Sequence, residues 1–277
     1  MGEKLNHIRK FKNITFLLPS LIGFFTLYII PFVIGIRISF SETTFNSNFA
    51  GFKNYIYVFK SEAFQLAIKN TSIFMLIGIP LIIIISFLLA LAIFELKVNP
   101  IIKLFIILPI AIPSASISAF FEKSFGIYGL NLLDSKYAMI VVIIMFLWKN
   151  TGYNLIIYLA GFTQIDKSAI EAAKIDGANY WGLLKYIIIP LLTPTTAIVG
   201  IITIINSFKV FKEIYILQGK YPNPNLYMLQ HYLTNKFNSI EYHHLTSAAY
   251  IFTLMILAFI FLFVFLDKRY SKKVGDN

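Results

Sequence analysis

The sequence predicts an all-α integral membrane protein with six transmembrane helices, and two observations carry that expectation. Hydrophobic residues fill 58% of the 277 positions and charged residues only 13%, with a mean hydropathy of +0.75, well outside the range of a soluble domain. Six apolar runs then approach the length of about 20 residues that a bilayer core requires. They cover 14–38, 71–94, 104–121, 138–162, 187–208 and 248–266.

The first run is too long and proline-broken for a signal peptide, and no small-residue cleavage site follows it, so a retained helix is expected. The second, IFMLIGIPLIIIISFLLALAIF, contains no charge. The third, LFIILPIAIPSASISAFF, places Ser114, Ser116 and Ser118 after its prolines. In the fourth, FLWKNTGYNLIIYLAGF brings Lys149, Asn150, Tyr153 and Asn154 together, and the fifth closes on Asn206, Ser207, Phe208 and Lys209. Phe261, Phe263 and Phe265 of the sixth read as lipid or helix packing. Little lies outside these runs, so residues 1–277 are expected to form a single transmembrane domain.

The formal charge of +11 raises the question of nucleic acid, and its distribution answers it. With six spans and an inside N-terminus, thirteen basic residues fall inside: Lys4, Arg9, Lys10, Lys12, Lys97, Lys103, Lys167, Lys174, Lys185, Lys268, Arg269, Lys272 and Lys273. Seven fall outside: Lys53, Lys60, Lys123, Lys136, Lys212, Lys220 and Lys236. By the positive-inside rule both termini are cytoplasmic. The basic balance is topology in a lipid environment, and no nucleic-acid partner is expected.

Zero cysteines remove disulfides, thiol catalysis and cysteine-based metal sites. No phosphate loop is present; Gly219-Lys220 lacks the upstream glycine and is followed by Tyr221. Metalloprotease and nucleophile-elbow motifs are missing too. His243 and His244 are adjacent on a helix and point apart, which reads as an interfacial pair and not a metal site. An enzyme is therefore not expected. If ATP is used, another chain binds it with its Mg, and no cofactor is expected here.

Between the fourth and fifth runs the chain interrupts itself with EAAKIDGANYWGLLKYIIIP, residues 171–190. Ala169, Ala172 and Ala173 let a helix approach a partner closely. Asp166, Glu171 and Asp176 make its N-terminal part acidic, Lys174 lies one turn from Glu171, and Gly177 permits a bend before Tyr180 and Trp181. Such a helix-bend-helix reads as a docking element for a cytoplasmic protein.

Glu171-Ala172-Ala173, three residues, Gly177, nine residues and Ile187-x-Ile189-Pro190 resemble the EAA loop of ABC importer permeases. Only Ile189 differs from that family's EAA-x3-G-x9-I-x-L-P pattern. The third and fourth runs and SFKVFKEIYIL (207–217) resemble the carbohydrate class, in particular the first permease of maltose or glycerol-phosphate type systems. The resemblance covers nearly the whole chain but departs at QGKYPNPN, within the 218–247 loop.

It implies the six-helix ABC importer permease fold with a coupling loop at 166–190, in which Glu171, Ala172, Ala173, Asp176, Gly177 and Pro190 transmit the ATPase motion. It also implies a heterodimer with a second permease, two cytoplasmic ATPase subunits, an extracytoplasmic solute-binding protein and a sugar substrate, in a bacterial cytoplasmic membrane.

Polar residues inside spans usually face a cavity. The substrate candidates are Ser114, Lys149, Asn150, Tyr153, Ser207, Phe208 and Lys209, six of which (all but Ser207) match family positions near the sugar. Lys149 and Lys209 leave room for an anionic solute such as a sugar phosphate or uronate oligosaccharide, and Glu122 is a possible partner of Lys149. A channel or ATP-independent carrier is the alternative of a different class; it would want carboxylates in the spans, and Glu95, Glu122 and Asp267 lie at span ends.

Because the chain has no cysteine, single introduced thiols report topology cleanly. A cysteine at Asn225 is expected to react with an impermeant reagent in intact cells or spheroplasts, and one at Asn277 is not. The reverse labelling pattern would overturn the six-span orientation.

Overall fold

The computed structural model describes residues 17–46, 48–96, 98–127 and 132–275. The basic N-terminal tail, Lys97 and the first three residues of the 14–38 run lie outside them. Among the described residues the protein is helical, with a single isolated bridge between Ser41 and Phe49. Four helices are long and apolar enough to cross a membrane, and six spans result if each of two bent pairs counts as one. Each of the six expected runs falls on one of these.

The chain divides into two compact units. The first comprises the described residues up to Ser61 together with Asn235–Ile251. It contains helix α1 (Leu17–Ser39), which includes a π-helical turn at Phe25–Ile29, and α2 (Lys53–Lys60). Asn54 stitches the α1 terminus to the following loop, donating to the carbonyls of Ser39 at 2.9 Å and Ser41 at 2.7 Å. Thr44 donates to the Ile240 carbonyl at 2.8 Å and accepts from the Tyr242 amide at 3.0 Å. His243 meets Thr44, whereas His244 stacks on Tyr57 and bonds Glu241. The two imidazoles take different partners, but they do not point apart as expected: their ring centroids lie 4.0 Å from each other.

The second unit, Glu62–Thr234 with the described residues from Phe252 onward, holds the remaining elements except residues 235–251 of the last two helices, which belong to the first. Helix α3 (Glu62–Leu96) starts nine residues before the expected span and continues through Pro80. Next come α4 (Pro100–Ile107), α5 (Ser114–Ile127), α6 (Ala138–Thr163), α7 (Lys167–Ile175), α8 (Tyr180–Leu183), α9 (Thr193–Ser207), α10 (Phe211–Gln218) and α11 (Leu229–Asn238). The last helix, α12 (Tyr242–Gly275), contains the sixth apolar span.

Helices α3 and α6 form the spine of this unit, through Phe74 on Phe146, Phe87 on Tyr158 and Phe94 on Phe162. Asn154 donates to Thr203 at 2.8 Å and Tyr158 donates to Thr196 at 3.3 Å, which joins α6 to α9. Small residues let membrane helices come close. At Gly152 a Cβ would lie 2.5 Å from the Ile106 carbonyl oxygen, so only glycine admits the α4 backbone there.

The third and fifth runs are not straight spans. Pro100–Ala111 and Ser114–Ser124 meet at 101°, and Tyr180–Leu191 and Thr193–Gln218 meet at 63°. Pro113 and Pro194 sit at the breaks, where the missing amide and the ring obstruct a continuous helix.

The 218–234 segment, where the family resemblance departs, is tied down by side chains. Gln218 donates to Asp134 at 2.9 Å and accepts from the Asn223 amide at 2.9 Å. Asn70 donates to the carbonyls of Pro224 and Tyr227, and Thr71 accepts from the Leu229 amide. His231 is 0% exposed, its Nδ1 accepts from the Met228 amide at 3.0 Å, and Phe211, Tyr215 and Tyr227 surround its ring.

Burial pushes the His231 imidazole down from 6.5 to about 4. The folded form holds it neutral while the unfolded chain takes up a proton, so its contribution is complete above pH 6.5 and is lost as pH falls toward 4. Melting curves of purified protein in detergent should show His231→Gln, which keeps an acceptor for Met228, losing less stability than wild type across that window. Parallel pH profiles for the two proteins would refute this.

Candidate functional site

The interrupting stretch folds as its residues dictate. Asp166 caps α7, accepting from the Ser168 amide at 2.9 Å, and its hydrogen bonds with Ser168 hold the carboxyl below its ordinary value. At the other end the Ala178 amide reaches the Ala173 carbonyl at 2.9 Å and the Gly177 amide the Lys174 carbonyl at 3.1 Å. These two bonds make a Schellman motif, and Gly177 supplies its left-handed residue at φ 82°. Asn179 then caps α8, accepting from the Gly182 amide at 2.7 Å.

The underside of the stretch is anchored. Ile170 and Ala173 pack on a core that includes Leu183, Leu184 and Ile188, and Tyr180 donates to Glu95 at the end of α3 at 3.3 Å. The upper side is open. Glu171, Ala172, Lys174, Asp176 and Gly177 are exposed, Ile175 is 85% exposed and Trp181 72%. Pro190 lies just before the break between α8 and α9. The result is a short, rigid, small-residue surface with two apolar side chains projecting from it.

The second site is a polar cavity among apolar helices. Ile110, Lys149, Asn150, Tyr153, Ile202, Ile205, Asn206 and Lys209 line a volume of about 380 Å³. A smaller hollow of about 50 Å³ shares Lys149, Asn150, Asn206 and Lys209 and adds Glu213. Four candidates therefore come together: Lys149, Asn150, Tyr153 and Lys209. Ser114 stands one step behind, donating to Glu213 and accepting from Lys149, both at 2.8 Å. Ser207 and Phe208 do not line the cavity. Ser207 is buried with its hydroxyl on the Ile204 carbonyl, and Phe208 packs edge-on against Phe252 at 4.8 Å.

Glu213 is the residue that the sequence reading missed. Lys149 forms its ion pair with Glu213, not with Glu122, which is exposed. The fifth span does not end at 208 but continues past a 3-10 turn into α10, carrying a carboxylate into the unit. The spacing Asn206, Lys209, Val210, Glu213 is a helical face, and that periodicity was the available signal. Glu213 is 4% exposed. Its Oε1 takes Lys149 and Ser114, whereas Oε2 is buried with no hydrogen-bond partner among the described residues.

Comparison with known proteins identifies the family. Residues 71–276 match the family of binding-protein-dependent transport system inner membrane components. The chain is 30% identical to the lactose transport system permease protein LacF of Rhizobium radiobacter, over 60% of this chain and 62% of LacF. It is also 30% identical to the sn-glycerol-3-phosphate transport system permease protein UgpA of Rhizobium meliloti, over 64% and 66%. A crystal structure of a bacterial ABC transporter that imports the acidic polysaccharide alginate contains a chain of the same fold. Its TM-score is 0.78 at 21% identity, covering 97% of this chain and 99% of that one. The chain belongs to the binding-protein-dependent transport system inner membrane components and is a multi-pass permease subunit.

Glu213 is buried while the Lys149 side chain is 22% exposed, so losing the lysine strands a buried carboxylate at a cost of up to about 3 kcal/mol, whereas removing both charges is close to neutral. Lys149→Met should accordingly lower the melting temperature of the purified protein, and Lys149→Met with Glu213→Gln should recover most of the loss. Additive effects of the two changes would disprove the pairing.

Proposed function

We propose that this chain forms half of the translocation pathway of a sugar importer, in which a second permease supplies the other half. Of two cytoplasmic ATPase subunits one docks on α7 and the other on the second permease, and an extracytoplasmic binding protein delivers the sugar. The observation that carries this reading is the presence, in one compact unit, of an anchored but exposed Glu171–Gly177 surface and a polar cavity within apolar helices. The lactose and glycerol-phosphate permeases among the relatives support a carbohydrate-type cargo.

The chemistry suits a sugar. Tyr153, 40% exposed, offers a ring face for a pyranose, and Asn150, Asn206 and Lys209 offer hydrogen bonds to hydroxyls. This chain's sequence has no phosphate loop, so ATP and Mg would sit on the partner subunits. Their closure would push on α7, and the Schellman-capped bend and the Tyr180–Glu95 contact would pass the push to α8 and α3. Both termini would lie in the cytoplasm of a bacterial cell.

Gly177→Val tests the coupling. A β-branched residue at φ 82° is strongly disfavoured, so the bend that seats α7 would be lost while the distant spans remain. The variant should still insert and assemble, yet uptake and the ATPase response to loaded binding protein should fall at least about tenfold. Wild-type coupling in the variant would sink the docking role, and a transport current independent of ATP would favour a channel.

A further inference from the structure

Of the residues lining the two hollows, Glu213 alone is acidic, and the transport reading gives it no task. Its ion pair cancels the charge of Lys149, one of the two lysines that had left room for an anionic cargo. The other, Lys209, is exposed and donates to Asn206 at 2.8 Å. The remaining polar lining, Asn150, Tyr153 and Asn206, consists of neutral amides and a phenol.

A carboxylate this deeply buried keeps its partner ammonium close, so the two charges largely offset each other for whatever occupies the space beside Lys149. Paired in this way, Lys149 gives an incoming uronate or phosphate little of the attraction that a lone ammonium would. A sugar hydroxyl can accept the ammonium proton of Lys149 that neither Glu213 nor Ser114 takes. We propose that Glu213 is a specificity-determining residue, which by pairing with Lys149 sets this cavity for uncharged, hydroxyl-rich sugars against uronates and sugar phosphates. The proposal rests on the sugar-importer reading.

The test uses the whole importer, purified through a tag on this chain and held in nanodiscs at constant ionic strength. Calorimetric titration compares maltotriose with the uronate trisaccharide trigalacturonate. Wild type should bind the neutral sugar more tightly. Glu213→Gln should move the ratio of affinities at least about tenfold toward the uronate. Lys149→Met with Glu213→Gln removes both charges and guards against a folding artefact; its ratio should lie between the other two. A wild type that prefers the uronate, or a ratio unmoved by Glu213→Gln, would overturn the role of Glu213 and leave the importer reading standing. Binding of neither sugar by wild type would overturn both.

Discussion

Hydrocarbon supplies no hydrogen-bond partner, so every departure from a straight helix within the membrane must be repaired by the protein itself. This constraint organises the larger unit. At the Pro113 break the Ser116 and Ile117 amides turn back to the Pro113 carbonyl, and Ser114 and Ser118 spend their hydroxyls on Glu213. At the other break Leu192 bonds Ile188, Thr196 bonds Leu192 and the Thr193 hydroxyl bonds Ile189. The later halves α5 and α10 are thereby brought against each other, and the Lys149–Glu213 pair forms beside their contact. Repairing the first break and building the cavity wall draw on the same residues.

Much of this was legible in the sequence, for physical reasons. Hydrophobic length is a one-dimensional property, and the run 138–162 matches Ala138–Thr163 almost residue for residue. The 166–190 loop was legible because its features are local: a capping aspartate, small residues and a glycine at the left-handed position. Glu213 was not, because an abrupt drop in hydropathy after Phe208 looks like the end of a span. The helical face of Asn206 and Glu213 shows only once the 3-10 turn is known to preserve the helix direction. Ser207 and Phe208 illustrate the converse error. Both are of the right chemical kind, but each turns toward its own helix or α12, since neighbours on a helix point in different directions. The Lys149 pairing could not be read from spacing, because its partner lies sixty-four positions away.

The segment after α10 looked atypical by composition, yet it is among the more heavily bonded parts of the unit. Asn70 and Thr71 sit near the start of the longest helix and satisfy three backbone groups of a segment more than 150 positions later. Prolines and asparagines there mark tight turning held by specific side chains, and buried backbone groups that would otherwise be orphaned find partners.

The two hydrogen bonds between α6 and α9 have a mechanical meaning. Apolar helix surfaces in lipid slide past one another with little resistance, since each position exchanges one hydrocarbon contact for another. Asn154–Thr203 and Tyr158–Thr196 lie on successive turns of α6 and act as two pins along one seam. A one-residue slip would break both at once, whereas a small roll about the line joining them would keep both. The seam is therefore stiff to translation and compliant to rotation, which makes it a hinge axis and not a sliding track.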